Sequence, residues 1–316
     1  MKKTLVTILL GCLFITAMLT GCTSYGNADS STGSVTSNSP SAKNTANNDA
    51  SDTNAIANEE ITIVSREDGS GTRSAFIELF GVETTGEDGK KVDNTTLAAI
   101  ITNSTSVVMT TVSGDKNAMG YLSLGSLNDT VKALSIDGAQ PSVANIENGT
   151  YTIARPFIVA TKGDLSEAAQ DFMDYILSTQ GQKIVNDNGY IPIKDTKDYT
   201  GSISSGKIVV AGSSSVTPVM EKLKEGYLAL NSGITIEIQQ SDSSTGMNNT
   251  KDGVCDIGMA SRELKSSETE AGLVPIVIAN DGIVVVVNNN NPLTNLTKEQ
   301  VMQIYTGEIT KWGDIS

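Results

Sequence analysis

In the stretch VSREDGSGTRSAF (Val64 to Phe76), Arg66 and Asp68 stand just ahead of Gly69, Ser70, Gly71 and Thr72, and a helical pattern follows. VVAGSSSVTPVME (Val209 to Glu221) leads Ser214, Ser215 and Val216 into a helix in the same way. IQQSDSSTGMNNT (Ile238 to Thr250) does so with Ser243 and Ser244. A helix start presents unpaired N–H groups and the positive end of the helix dipole. Ser and Thr add hydroxyl donors, Gly lets backbone approach a ligand, and a guanidinium offers a fork matched to an oxyanion. Asp68 is near enough in the chain to fix the Arg66 guanidinium. One such loop is ordinarily a helix cap. Three of them with an arginine point to an anion site. The first is no Walker loop, since the Gly-Lys-Ser/Thr ending is missing.

The composition narrows the chemistry. The 316 residues contain no histidine, so neither a Ser-His-Asp nor a Cys-His catalytic system can be assembled, and no His-ligated metal site is available. Net charge is −14, with 36 acidic and 22 basic residues. If Lys2 and Lys3 leave with a leader, 36 acidic face 20 basic, or −16. This argues against nucleic acid as a partner, because phosphate backbones demand a surplus of Lys and Arg. Of the three cysteines, Cys12 and Cys22 lie at the N-terminus, and Cys255 stands alone in an apolar run as a buried small hydrophobe. No metal and no cofactor are implied.

The elements that must hold these loops begin after residue 59. MKK followed by TLVTILLGCLFITAML has the basic and apolar regions of a secretion signal, and LTGC (Leu19 to Cys22) closes it like a bacterial lipobox. The expectation is a signal peptide over 1–21, a lipid on Cys22, and an extracytoplasmic protein anchored to the cell membrane. Residues 22–59 are Ser, Thr, Asn, Ala and Asp with few large apolar side chains, and read as a disordered tether. Beyond it, strands and helices alternate: ITIVS and a helix over 71–80, AMGYLSL, YTIARPFIVAT, a helical stretch from Leu165, KIVVAG, ITIEIQQ, CDIGMAS and IVVVVNN. The continuity of the last run suits a central strand. Such alternation predicts an α/β architecture, and the length allows about two domains.

VSREDGSGTRSAF, GSSSVTPVME, SDSSTGM, CDIGMASRELK, MGYLSL and GYIPI together resemble the extracytoplasmic phosphate-binding proteins of phosphate ABC transporters, over essentially all of residues 60–316. The resemblance implies an α/β, two-lobe periplasmic-binding-protein-like fold of the class II type, with hinge strands, closing on phosphate. The order differs from the family's: residues 60–200 resemble its second half and 206–316 its first. This implies a circular permutation joined through Lys194 to Gly206. Lobe A would be 153–282 and lobe B 60–152 plus 283–316, with YTIARPFIVAT and GIVVVVNNN as crossing strands. A domain-swapped dimer is the rival arrangement.

Carried over residue by residue, the resemblance places Ser215 with the Val216 amide, Ser243 and Ser261 on the ligand from lobe A. Arg66, Ser70, Gly71 and Thr72 come from lobe B, Asp68 orients Arg66, and Ser214 and Ser244 support. Some family members have an aspartate where Ser261 stands, accepting the proton of hydrogen phosphate. Asp242 and Asp256 are candidates to replace it, although Asp256 beside an apolar strand reads as structural. The implied function is phosphate capture and delivery to the permease subunits of an importer, not enzymatic. Receptors for another tetrahedral oxyanion such as sulfate, and a non-transporting sensor or adhesion lipoprotein, are the alternatives. A phosphate-ester hydrolase using a GSSS serine lacks a base.

Overall fold

The computed structural model describes residues 56–315; the leader, Cys22 and the tether up to residue 55 lie outside them. One correction applies at the boundary. Residues 56–59 belong to the fold rather than to a tether. Ile56 is buried in the same apolar cluster as Trp312, and the Ala57 and Glu59 carbonyls accept from the Gly313 and Trp312 amides. A single isoleucine in a polar segment gives little sequence signal, but here it finds a preformed apolar surface.

Eight main strands build the sheet: β1 (Thr62–Arg66), β2 (Ile100–Thr102), β3 (Ala118–Ser123), β4 (Ala154–Lys162), β5 (Gly206–Ser213), β6 (Ile234–Ser241), β7 (Ile257–Ala260) and β8 (Leu273–Val287). Their order is β6-β5-β7-β4-β8-β3-β1-β2, and two short strands also pair with β8. β1 runs parallel to β2 and β3, and β5 runs parallel to β6 and β7. Each parallel set has its carboxyl ends on one side, where an open α/β sheet offers its ligand crevice. Edge strand β6 buries Ile234 and Ile236 while Thr235 and Glu237 face water, as a one-sided strand should. By contrast Ile283 to Val287 are all buried, which is what a β-branched run in a central strand requires.

The long strand β8 ties the two sets together. Its Leu273–Gly282 portion pairs with β4, and its Ile283–Val287 portion pairs with β3. The apolar cores divide at the same places. Two clusters draw only on residues from Ile56 to Ile153 and from Ile283 to Trp312. Two others draw only on residues from Phe157 to Ala279. The chain thus changes core twice, between Ile153 and Phe157 and between Ala279 and Ile283.

At that crossing Arg155 Nη2 meets Asp281 Oδ2 at 3.2 Å, both fully buried. Ser123 Oγ and the Gly125 amide donate to the other carboxylate oxygen at 2.9 and 3.3 Å. Burial pushes the Asp281 carboxyl above its ordinary pKa, against the pull of Arg155.

Candidate functional site

Four helices start where strands end: α1 (Gly71–Phe80) after β1, α2 (Thr105–Gly114) after β2, α3 (Thr217–Leu230) after β5 and α4 (Ser243–Lys251) after β6. Small polar residues are needed there to satisfy the first N–H groups. Ser70 Oγ accepts from Arg73 N, Ser104 Oγ from Val107 N, and Asp242 Oδ1 from Thr245 N. α3 instead opens with Pro218 in its first turn.

Arg66 ends β1 with its side chain almost wholly buried. Its amide donates to the Tyr121 hydroxyl at 3.2 Å, and its carbonyl accepts from Arg73 Nη1 at 2.7 Å. Tyr121 is itself stacked on Phe76, and burial pushes its phenol up to about 12. The guanidinium is gripped by Glu67, with Nε to Oε2 at 2.8 Å and Nη2 to Oε1 at 2.7 Å. Asp68 therefore does not orient Arg66. It is exposed and pairs with Arg73 at 3.1 Å. The chain bends as β1 ends, with the Ser70 amide closing on the Glu67 carbonyl at 2.9 Å, and the longer glutamate side chain folds back from that bend.

Across the cleft, Arg66 Nη2 donates to Ser214 Oγ at 3.1 Å. Thr72 Oγ1 lies 2.8 Å from Ser215 Oγ and 3.5 Å from Ser261 Oγ. Ser261 Oγ accepts from Ser213 Oγ at 3.0 Å, and its amide donates to Ser243 Oγ at 3.1 Å. Arg66, Ser70 and Thr72 from one half are thus brought together with Ser214, Ser215, Ser243 and Ser261 from the other. All are buried. Gly71 makes the approach possible: a Cβ there would overlap the Ser243 hydroxyl and stand 2.7 Å from that of Ser261. The Ser244 amide also reaches the Gly69 carbonyl at 3.2 Å, a backbone link between the halves.

The roles of some residues differ from expectation. The Val216 amide closes a turn on the Ser213 carbonyl at 3.1 Å, so it is already engaged. The Ser70 hydroxyl caps α1 by accepting, which leaves its proton for an acceptor in the cleft. Asp242 caps α4, and Asp256 accepts from the Val209 amide at 2.8 Å, so neither is a spare carboxylate for the cleft. Cys255 is buried beside Thr250, with its thiol pushed up by burial.

Sequence reasoning missed Ser213, Thr105, Glu67 and Arg262. Thr105 Oγ1 lies 3.1 Å from Ser215 Oγ, and its TNST setting (Thr102 to Thr105) is a further hydroxyl-rich helix start. Arg262, next to Ser261, is buried, forks Glu268 at 2.9 and 2.7 Å, and donates to Ser244 Oγ at 3.2 Å, which braces the start of α4.

Chemically, the cleft is a buried nest of hydroxyls with one guanidinium, between helix starts. It supplies donors to a tetrahedral oxyanion from both sides, the arrangement of a two-lobed solute-binding protein. A model of the PBP superfamily domain matches residues 34–180 and 198–315. The chain is 55% identical over 268 residues to "Phosphate-binding protein PstS 2" of Streptococcus agalactiae, covering 84% of this chain and 92% of the relative. It is 37% identical over 153 residues to "Phosphate-binding protein PstS" of Bacillus subtilis, covering 46% of this chain and 47% of the relative. Among solved structures, a phosphate-binding protein of a phosphate ABC transporter from Streptococcus pneumoniae matches with TM-score 0.65 and 44% identity, over 81% of this chain and 100% of that one. The chain belongs to the PBP superfamily, in the family of phosphate-binding proteins of phosphate ABC transporters.

Proposed function

We propose that this protein binds inorganic phosphate outside the cytoplasmic membrane and delivers it to the permease subunits of an ABC importer, without transforming it. The observation that carries the reading is the convergence of Arg66, Thr72, Ser215, Ser243 and Ser261 on one buried cleft between two separately cored halves. The names of the relatives agree with it. Lobe B comprises 60–152 with 283–316, and lobe A comprises 153–282; the division of the apolar cores supports this, except that Ile56 and Ile153 pack with lobe B.

The permuted order is part of the proposal. Two facts support it: the Bacillus subtilis relative aligns over only about half of each chain, and the Ile61 amide pairs with the Thr310 carbonyl, so the two ends of the fold adjoin. Lipidation at Cys22 is also proposed, on the LTGC spelling, and would tether the receptor near its importer. A second reading, affinity for sulfate as well, is favoured by one observation. Ser261 is a hydroxyl, which accepts a proton from hydrogen phosphate but does not repel a fully ionised anion as a carboxylate would.

Calorimetric titration of the phosphate-stripped protein with phosphate and then sulfate tests this. Saturable one-site phosphate binding is expected. Heat with neither anion would overturn the assignment, and sulfate binding alone would replace it with the second reading.

A further inference from the structure

Thr105 is buried at the first position of α2, outside the glycine loop that opens the first half's side of the cleft. Its Oγ1 lies 3.1 Å from Ser215 Oγ and 3.5 Å from Ser214 Oγ. Ser214 Oγ also receives Arg66 Nη2, and Ser215 Oγ also meets Thr72 Oγ1 at 2.8 Å. Arg66 and Thr72 from one stretch of the first half and Thr105 from another therefore converge on one serine pair of the second. The elements below them fix this arrangement. β2 pairs in parallel with β1, setting Thr102 opposite Arg66, and the Thr102 hydroxyl donates to the Ser65 carbonyl at 2.9 Å. α2 starts three residues later, so Thr105 is held by the same strand pair that holds Arg66.

We propose that Thr105 is a further phosphate-binding residue, donating its hydroxyl proton to a phosphate oxygen on the Arg66–Ser214 side of the cleft. This rests on the phosphate reading above. A serine hydroxyl has one proton to give. When Ser215 turns its proton to the anion, its two lone pairs can still accept from Thr72 and Thr105, and each threonine carries one proton that it can turn either to Ser215 or to the anion. Thr72 also borders Ser261, whereas Thr105 borders Ser214 and, through it, the guanidinium. An anion touching both Arg66 and Ser215 is therefore within reach of Thr105. The threonine methyl further restricts the hydroxyl's rotamers, so less freedom is lost on binding.

The test is titration of phosphate into wild type, Thr105→Val, Thr105→Ala and Thr105→Ser, with thermal melts of each to establish folding. A hydrogen bond to a charged ligand corresponds to a loss of roughly 10- to 100-fold. Thr105→Val and Thr105→Ala should show that loss, and Thr105→Ser should stay within about threefold of wild type. Folded Thr105→Val or Thr105→Ala with wild-type affinity would overturn the proposal. Repeating Thr105→Val in a Ser215→Ala background separates direct contact from support of Ser215. A persistent loss supports contact, and no further loss overturns it. Absence of phosphate binding by the wild type would sink the underlying reading, an outcome visible before any variant is made.

Discussion

Glu67 holds the guanidinium of its own neighbour, Arg66, at two points, 2.8 and 2.7 Å, while Asp68 one residue further on faces water. The pair uses Nε and Nη2, so Nη1 is the nitrogen it does not engage. A guanidinium buried this deeply is costly without a counter-charge. Glu67 therefore stabilises the unliganded protein, and an arriving anion would take over part of that role.

Glu67→Gln should accordingly lower stability without phosphate by roughly 2 kcal/mol, less than the cost of breaking a wholly buried pair because Glu67 is 22% exposed. Its phosphate affinity should increase, since a competing negative charge is gone. Melting curves with and without phosphate should show a larger phosphate-induced rise than in wild type. Asp68→Asn should change neither quantity measurably, its partner Arg73 retaining Asp93 at 2.8 Å. Equal effects from the two variants would show that the geometric distinction has no energetic content.

Gly71→Ala separates binding from stability. Gly71 opens α1 at an ordinary backbone angle, where alanine is the better helix former by up to about 1 kcal/mol. Its new methyl, however, would collide with the Ser243 and Ser261 hydroxyls and stand 3.0 Å from the Ser261 carbonyl carbon. Where the unliganded halves part, the collision is absent and the variant should melt no lower than wild type, but closing on phosphate restores it and affinity should fall by about 100-fold or more. Calorimetry with parallel melting reads both. Unchanged affinity would mean that the halves do not approach this closely when ligand is bound.

How far the sequence disclosed these features depends on how local their causes are. The α1 start could be read because its cap, Ser70, its glycines and its stop at Gly81, a left-handed residue, lie within a dozen positions. Arg66, Thr72, Ser215, Ser243 and Ser261 were legible through the family resemblance, and the fold brings them together. Thr105 was not, because only the pairing of β2 with β1 turns one first-turn hydroxyl among many toward Ser215. The choice between Glu67 and Asp68 depended on the bend after β1, which no spacing rule specifies. β8 was legible only in its second half. Asp281 puts a charge in the middle of the strand, and what lets the strand run through it is Arg155, 126 residues away in the chain, which neutralises the buried carboxylate.

Acid should weaken the brace behind Ser244. Burial alone would raise the Glu268 carboxyl, but the Arg262 fork and the Lys265 amide outweigh it, leaving the pKa below its ordinary 4.5. A carboxylate depressed in the folded state binds its proton more readily when unfolded. Its contribution is therefore present above about pH 4.5 and is lost as pH falls through the lower folded value. Asp93, also depressed, adds in the same direction. Wild type should lose melting temperature between about pH 5 and 3 more steeply than Glu268→Gln, whose curve starts lower at pH 7. Parallel curves would remove Glu268 from the cause.

The segment from Lys194 to Gly206, which would join the two halves of a permuted chain, is held by a compact polar cluster. Asp171 Oδ2 accepts from Tyr199 at 2.5 Å and from Tyr227 at 2.8 Å. Asn231 donates to the Tyr199 oxygen at 2.9 Å and accepts from the Ile203 amide at 3.1 Å. Burial pushes the Tyr199 phenol up to about 12, so both tyrosines donate throughout the physiological range. Asp171→Ala removes the acceptor from two hydroxyls, one of them wholly buried, and should cost about 3 kcal/mol, whereas Tyr199→Phe should cost about 1 kcal/mol. The cluster lies among the second half's core residues, so phosphate affinity should not change in either variant. If the cluster secures the joint, Asp171→Ala should also be cut by protease within 194–206 faster than wild type, at a concentration of denaturant where both remain folded. Cleavage at equal rates would mean that the joint is held by its backbone alone, and that a permuted chain needs no dedicated clasp there.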